Sequence, residues 1–373
     1  MTGGRARRIV ALGGGHGLSA SLSALRNVTE FLTAVVTVAD DGGSSGRLRA
    51  AYDDLLPPGD LRMALTALAG RSPRAQLLRD TFQRRFPAGR DVSAGTELAG
   101  HPVGNLLLAG LMLETGDPVA ALDAAGELLE VGPGVRVLPM AREPLDIAAR
   151  VYGAAGDDDL ITVRGQVEVA TTSGRVVSVE LVPPSPVACV EAVAAVEQAD
   201  AIVLGPGSLF TSVLPHLLMP ELRKAIAASS AMKVLILNLV AQPGETDGFS
   251  AESHLEVLGA LIPELTFSWV IAHDGSTDDR AFPGAAQRFS DPDRSTDGAK
   301  RGLIGDLHTA AESLGARVHL APVARADSPG VHDTAALTEA LRFVLAHGQP
   351  DSGPNRVIAV ADEGHGSSSD SSG

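Results

Sequence analysis

The chain is short of aromatic residues, of cysteine and of long apolar runs, and each shortage closes off a class of protein. Phe, Trp and Tyr make up 3% of its 373 residues, so Ala, Val and Leu have to fill the core. Cys189 is the one cysteine. It excludes an internal disulfide, and a reducing cytoplasm is the expected home. No apolar run approaches the ~20 residues of a membrane span. The apolar "IVAL" after the basic start "MTGGRARR" is too brief for the core of a signal peptide. Basic residues are outnumbered: 30 Lys and Arg face 45 Asp and Glu, for a net charge of −15. That excess disfavours nonspecific binding to nucleic acid or to an anionic membrane. It still allows a local basic pocket for a phosphorylated ligand.

What is present reads as α/β. Hydrophobic residues reach 45% and charged residues 20%, which suits a globular chain with a sizeable core. "RRIVALGGGHGLSASLSALRNV" reads as strand, glycine turn and helix, with Leu18, Leu22 and Leu25 on one stripe. "FLTAVVTVAD" is the next strand. "PPGDLRMALTALAG" reads as a turn and a helix with Asp60 as its N-cap. "GNLLLAGLMLETG" is apolar enough to predict a buried helix. Residues 160–182 change period: Val167 and Val169, then Val177, Val179 and Leu181, alternate about a "TSG" turn and predict an antiparallel hairpin. Further strands are expected at "AIVLG", "VLIL", "TFSWVIAHDG" and "ARVHLAPVA". Alternating β and α elements predict a mainly parallel sheet covered on both faces. We expect one domain over 1–345 and a C-terminal segment over 346–373 ending in a tail disordered by composition. The polar stretch 273–303 is expected to be a mobile surface loop.

The candidate chemistry lies where strands end. In "GGGHGLSA", Gly13, Gly14, Gly15 and Gly17 open a helix whose free N–H groups favour an anion, with His16 inside the turn. "GPGSLFTSV" repeats the device with Gly205, Gly207, Ser208 and Thr211. Asp40 and Asp41 stand side by side after the second strand and could hold Mg²⁺, ribose hydroxyls or a base. Ser44 and Ser45 follow in the same small-residue loop, and Arg47 is placed to clamp phosphate. "GHPVGN" sets His101 and Asn105 at the start of an apolar helix. "NLVAQPGETDGF" offers Asn238, Gln242, Glu245 and Thr246 as a recognition loop. There is no His-rich zinc pattern, no nucleophile elbow and no Walker lysine. Gly15-x-Gly17-x-x-Ala20 meets a loose dinucleotide fingerprint, which keeps an NAD-binding enzyme among the alternatives.

"IVALGGGHGLSASLSALR", "TVADDGGSSGRLR", "PPGDLRMAL", "GHPVGNLLL", "IVLGPGSLFTSVLP" and "NLVAQPGETDGF" occur in that order. Together they resemble the YvcK/CofD-like family, the YvcK branch in particular, from about residue 8 to 335. The resemblance implies a Rossmann-like three-layer α/β/α fold. It implies a cytoplasmic factor that binds a UDP-sugar, UDP-N-acetylglucosamine the favoured one, linked to cell shape, peptidoglycan supply and growth on gluconeogenic carbon. For that branch it implies a ligand-binding regulator with no firm catalytic activity, and a UDP-sugar ligand with no required cofactor beyond an optional Mg²⁺. The CofD side of the family implies instead an Mg²⁺-dependent phospholactyl transfer onto a deazaflavin, for which aromatic stacking partners are few here. The closing "APVARADSPGVHD" makes Arg325 a phosphate ligand by the same resemblance. His16 stands where the family has a small residue. A nucleotide-sugar partner is expected, with no nucleic acid and no membrane insertion. A symmetric homodimer and regulatory protein partners stay open.

Overall fold

A computed structural model of the chain describes residues 7–87, 97–152, 160–172, 175–240, 250–275 and 307–348. Seven short apolar strands form its centre. They are β1 (Arg8–Gly13), β2 (Phe31–Val36), β3 (Val135–Pro139), β7 (Ala201–Leu204), β8 (Met232–Ile236), β9 (Trp269–His273) and β10 (Arg317–Ala321). Their runs do not alternate because both faces are covered: every residue of β7 and β8 is buried. All neighbours pair in parallel, in the order β10-β9-β8-β7-β1-β2-β3. From β1 the chain builds outward to β2 and β3. It then returns to the other side of β1 with β7 and builds outward again. The order therefore reverses between β1 and β7, where open α/β sheets bind ligands.

On one face, α1 (Gly15–Leu25) packs on α3 (Pro58–Leu68) and on the last helix, Thr334–His347. Leu18, Leu22 and Leu25 of α1 are buried, as their spacing predicts. α2 (Gly43–Ala51), α4 (Pro73–Gln83), α5 (Val103–Thr115) and α6 (Pro118–Leu128) extend this layer beside β2 and β3. α8 (Val190–Glu197) lies against β3 and packs on α10 (Pro220–Ala228), which packs on α9 (Leu214–Leu218). The expected α/β fold with a mainly parallel sheet is what forms.

Three local expectations are corrected. The antiparallel unit is a three-stranded sheet, β5-β4-β6, built from β4 (Asp146–Tyr152), β5 (Leu160–Arg164) and β6 (Arg175–Val182). β4 pairs with both others. Val167 and Val169 sit on a short helix, α7 (Gln166–Ala170), whose start Gly165 permits with φ +109. Two apolar residues two apart fit a helical turn as well as a strand, so their alternation misled. α5 is buried on one face only, through Leu108, Ala109 and Met112, while Leu113 is 58% exposed. Asp60 is the third residue of α3, not its cap; Pro57 takes the cap position. The 273–303 loop from 276 onward and the tail from 349 onward lie outside the described residues.

Candidate functional site

Beyond the carboxyl ends of β1, β2 and β7, three loops converge. The first corner is the β1–α1 turn. Gly15 has φ +57, the left-handed region that favours glycine. Gly14 is required for closeness: a Cβ there would lie 2.5 Å from Asp60 Oδ2 and 2.5 Å from Thr37 Cγ2. Asp60 thus reaches over the turn from α3 and accepts the Gly15 amide. His16 is exposed on the first turn of α1.

The second corner follows β7 through Gly205 and Gly207. Gly205 N–H donates to the Leu12 carbonyl at 3.2 Å, and the buried Ser21 hydroxyl donates to the Gly205 carbonyl at 2.6 Å. Asn238, at the end of β8, holds Gly207 with both halves of its amide: Oδ1 accepts the Gly207 N–H and Nδ2 donates to its carbonyl, each at 2.8 Å. That two-point grip makes Asn238 a positioning residue. Ser208 caps a π-helical turn, Leu209–Val213, by accepting the Thr211 N–H at 3.0 Å, and its hydroxyl also bonds to that of Thr211. The two corners touch. A Cβ on Gly17 would lie 2.1 Å from the Pro206 carbonyl oxygen and 2.8 Å from Gly207 Cα. The second glycine of Gly15-x-Gly17 is therefore required by the approach of the second corner's backbone. Gly17→Ala should push the corners apart, with a loss of roughly 3 kcal/mol by denaturant titration. An unchanged midpoint would contradict this contact.

The third element is the loop after β2. Asp40 accepts the Gly42 N–H at 3.0 Å and bonds to Ser45, whose hydroxyl accepts the Gly59 N–H at 3.1 Å. Gly59 has no side chain because one would lie 2.7 Å from Asp40 Oδ2 and 2.6 Å from Ser45 Oγ. That approach brings Asp40 beside Asp60. Burial pushes Asp60 up to about 7, and the Asp40 charge adds to it, against the Gly15 amide and Arg62. Part of Asp60 opens to solvent, which screens the repulsion. Asp40 is raised by burial and by Asp41, with Ser45, Gly42 and Arg49 opposing. The two carboxyls are coupled, each charge opposing ionisation of the other.

Asp41 has a different task. Its carboxylate accepts the N–H groups of Gln166 at 2.9 Å and Val167 at 3.1 Å, so it caps α7. Asp41 is thus occupied at α7, and Asp60 joins Asp40 as a second acid beside the corners. Among the described residues no group of three or more His, Cys, Asp and Glu gathers. A divalent ion at the pair would complete its shell from phosphate oxygens and water.

Behind the acids runs a buried polar chain. Arg62, 5% exposed, donates through Nε to Asn105 Oδ1 at 2.8 Å and through NH1 to Gln83. Asn105 Nδ2 donates to Ser44 Oγ at 3.0 Å, and Ser44 Oγ lies 2.7 Å from His101 Nδ1. Ser44 Oγ thus joins Asn105 to His101, accepting from the first and sharing a hydrogen bond with the second. Burial first, then Arg47 and Arg85, lowers the His101 pKa and keeps it neutral. Burial likewise lowers Arg62 to about 10, leaving it a cation beside the acids.

Of the residues picked from sequence, the corners, Asp40, Ser44, Ser45, His101 and Asn105 come together. Arg47 is exposed and donates to the Ala99 carbonyl at 3.0 Å. Arg325 is exposed in the hairpin of β11 (Ala324–Arg325) and β12 (Ser328–His332). There it is engaged by Asp327 through two bonds of 2.9 and 2.7 Å. Gln242, Glu245 and Thr246 lie outside the described residues. Asp60 and Arg62 were missed; the signal was Gly59 in "PPGDLR", a glycine inside a helix start that no turn explains. A shallow cleft lined by Arg8, Phe31, Arg136 and Gln198 lies at the opposite, amino-terminal ends of β1–β3 and holds none of these residues.

The chain matches the family model described as 2-phospho-L-lactate transferase CofD over residues 9–302. It is 48% identical to "Putative gluconeogenesis factor" of Mycobacterium tuberculosis (strain CDC 1551 / Oshkosh) over 339 residues, 91% of this chain and 90% of that one. It is 41% identical to "Gluconeogenesis factor" of Halalkalibacterium halodurans over 252 residues, 68% and 73% of the two chains. The crystal structure of a UPF0052 family member from Bacillus halodurans superposes with a TM-score of 0.73 at 32% identity. That match covers 91% of this chain and all of that one. The chain therefore belongs to the CofD/UPF0052 family, among relatives that carry the name gluconeogenesis factor.

Proposed function

We propose that the chain is a cytoplasmic factor that binds a nucleotide sugar of the UDP-N-acetylglucosamine kind. Through it, the chain regulates peptidoglycan synthesis, cell shape and carbon metabolism. The observation that carries this reading is the pair of glycine corners touching at the β1/β7 reversal, with Asp40 and Asp60 beside them. The amino-terminal end of α1, which opens at the first corner, suits a phosphate. The acid pair could hold Mg²⁺, whose charge would offset the repulsion between Asp40 and Asp60. Mg²⁺ here supplies charge neutralisation for binding, and no catalytic group is assigned. Burial raises Cys189 to about 11, so it offers no thiolate nucleophile. Calorimetric titration with UDP-N-acetylglucosamine and Mg²⁺ should give saturable binding. No heat at millimolar ligand, with the protein folded, would overturn the reading.

One observation favours a second reading, a CofD-type Mg²⁺-dependent transferase: the matching family model carries that name. Incubation with a deazaflavin acceptor and nucleotide-activated phospholactate separates the two. Product establishes the transferase, and its absence alongside UDP-sugar binding removes it.

A further inference from the structure

The molecule is acidic as a whole, yet one surface reverses the sign. Between 71 and 85, Arg71, Arg74, Arg79, Arg84 and Arg85 face one acid, Asp80, against a net charge of −15 for the chain. All five arginines are exposed. Asp80 is bound by Arg79, Arg71 donates to Asn27, and Arg85 to the Gly100 carbonyl. The guanidinium groups of Arg74 and Arg84 have no partner among the described residues. This basic strip carries leucines. α4 buries only Ala75 and Phe82 and leaves Leu77 68% exposed, on the same helical face as Arg74. α5 packs beside it, joined where the Val103 N–H donates to the Arg84 carbonyl at 2.9 Å. Its outer face shows Leu107, Gly110 and Leu113, with Glu114 its one charge. A Cβ on Gly110 would meet nothing within 4 Å.

We propose that this α4–α5 face docks the protein on an anionic lipid surface. Leu77 and Leu113, each more than half exposed on its helix, can enter the acyl boundary. The flanking arginines then meet lipid phosphates. The charge selects this occupant over a second copy of the chain. A symmetric contact sets a patch against itself, and here that opposes one arginine strip to another. The net charge of −15 repels such a membrane only at long range, and it orients the molecule with this face inward. The inference goes beyond the nucleotide-sugar reading, since it uses none of the site's residues. Arg74 sits on α4 and Arg84 caps its carboxyl end, whereas His101 and Asn105 lie at the start of α5.

Flotation of the full-length chain with vesicles tests this. Vesicles of phosphatidylcholine with phosphatidylglycerol should carry the protein up, and phosphatidylcholine alone should not. Raising the salt should release it. Arg74→Glu/Arg84→Glu and, separately, Leu77→Asp/Leu113→Asp should each weaken partitioning at least about tenfold. Both variants should keep the wild-type thermal midpoint and UDP-sugar titration. Failure to float with anionic vesicles overturns the proposal, as does equal flotation of the charge-reversed variant. Light scattering that shows a dimer dissolved by Leu77→Asp/Leu113→Asp also overturns it, and assigns the face to a second copy.

Discussion

Asp60→Asn should make the protein more stable at pH 8 and leave it unable to hold its ligand. A carboxyl whose pKa rises from 3.8 to about 7 on folding has its stabilising share fully present below about pH 4. That share is lost as pH rises through 7, because the folded state resists ionisation that the unfolded chain accepts freely. Asparagine cannot ionise and can still accept the Gly15 amide. At pH 8 in EDTA, the variant should gain about 2–4 kcal/mol in denaturant titration, after allowance for the side of Asp60 open to solvent. The gain should vanish near pH 4. Titration with UDP-N-acetylglucosamine and Mg²⁺ should fall about a hundredfold or more, the loss of a charged contact. A variant that loses stability at pH 8, or binds normally, would show that the acid pair is not the strained centre described here. A gain in stability on removing a side chain is the mark of a functional group held against its own preference.

Arg62→Leu should do the reverse, with a loss of about 3–5 kcal/mol. It takes away the buried cation beside Asp60 and Asp40 and leaves Asn105 Oδ1 without its donor. Asn105 then loses its reason to aim Nδ2 at Ser44, and the His101–Ser44 bond loosens with it. Arg62→Lys separates charge from geometry. It restores a cation but not a planar fork that bonds Asn105 and Gln83 together, so it should recover only part of the loss. Chemical denaturation reads the stability. The ring-proton signals of His101 in NMR read the chain of bonds, since loosening the Ser44–Nδ1 bond changes the surroundings of the ring. Full stability in Arg62→Lys would mean that the cation alone matters there.

Most of the central sheet was legible because strands buried on both faces are rich in Val, Leu, Ile and Ala, and β1 and β7 run into glycine turns, but the edge strand β3, "VRVLP", was not foreseen. The corners were legible for the same reason: Gly14 and Gly17 leave a mark wherever backbone or a carboxyl must approach. What sequence could not show was which acids meet. Asp40 and Asp41 are neighbours in the chain, but successive residues project differently, and Asp41 leaves to cap α7 while Asp60 arrives from α3. Adjacency along the chain thus did not show that Asp60 would stand beside Asp40. Arg62 was hidden because one arginine in a helix most often lies in solvent; only the packing of α3 against α5 buries it. The small sheet was half legible. β6 alternates clearly, but its partner β4 lies before the stretch whose pattern drew attention.

Asp41 has a consequence for how the molecule moves. It ties the loop after β2 to α7, and α7 also packs on the π-helical turn of the second corner. Arg49 of α2 and Arg164 of β5 share Asp146 of β4, at 2.8 and 2.7 Å. The small sheet is therefore fastened at two points to the segment that carries Asp40 and Ser44. It acts as a handle on the cleft. A force or a partner that tilts this handle shifts the acid loop. By thermodynamic reciprocity, a ligand that steadies the loop changes the grip of that partner by the same factor.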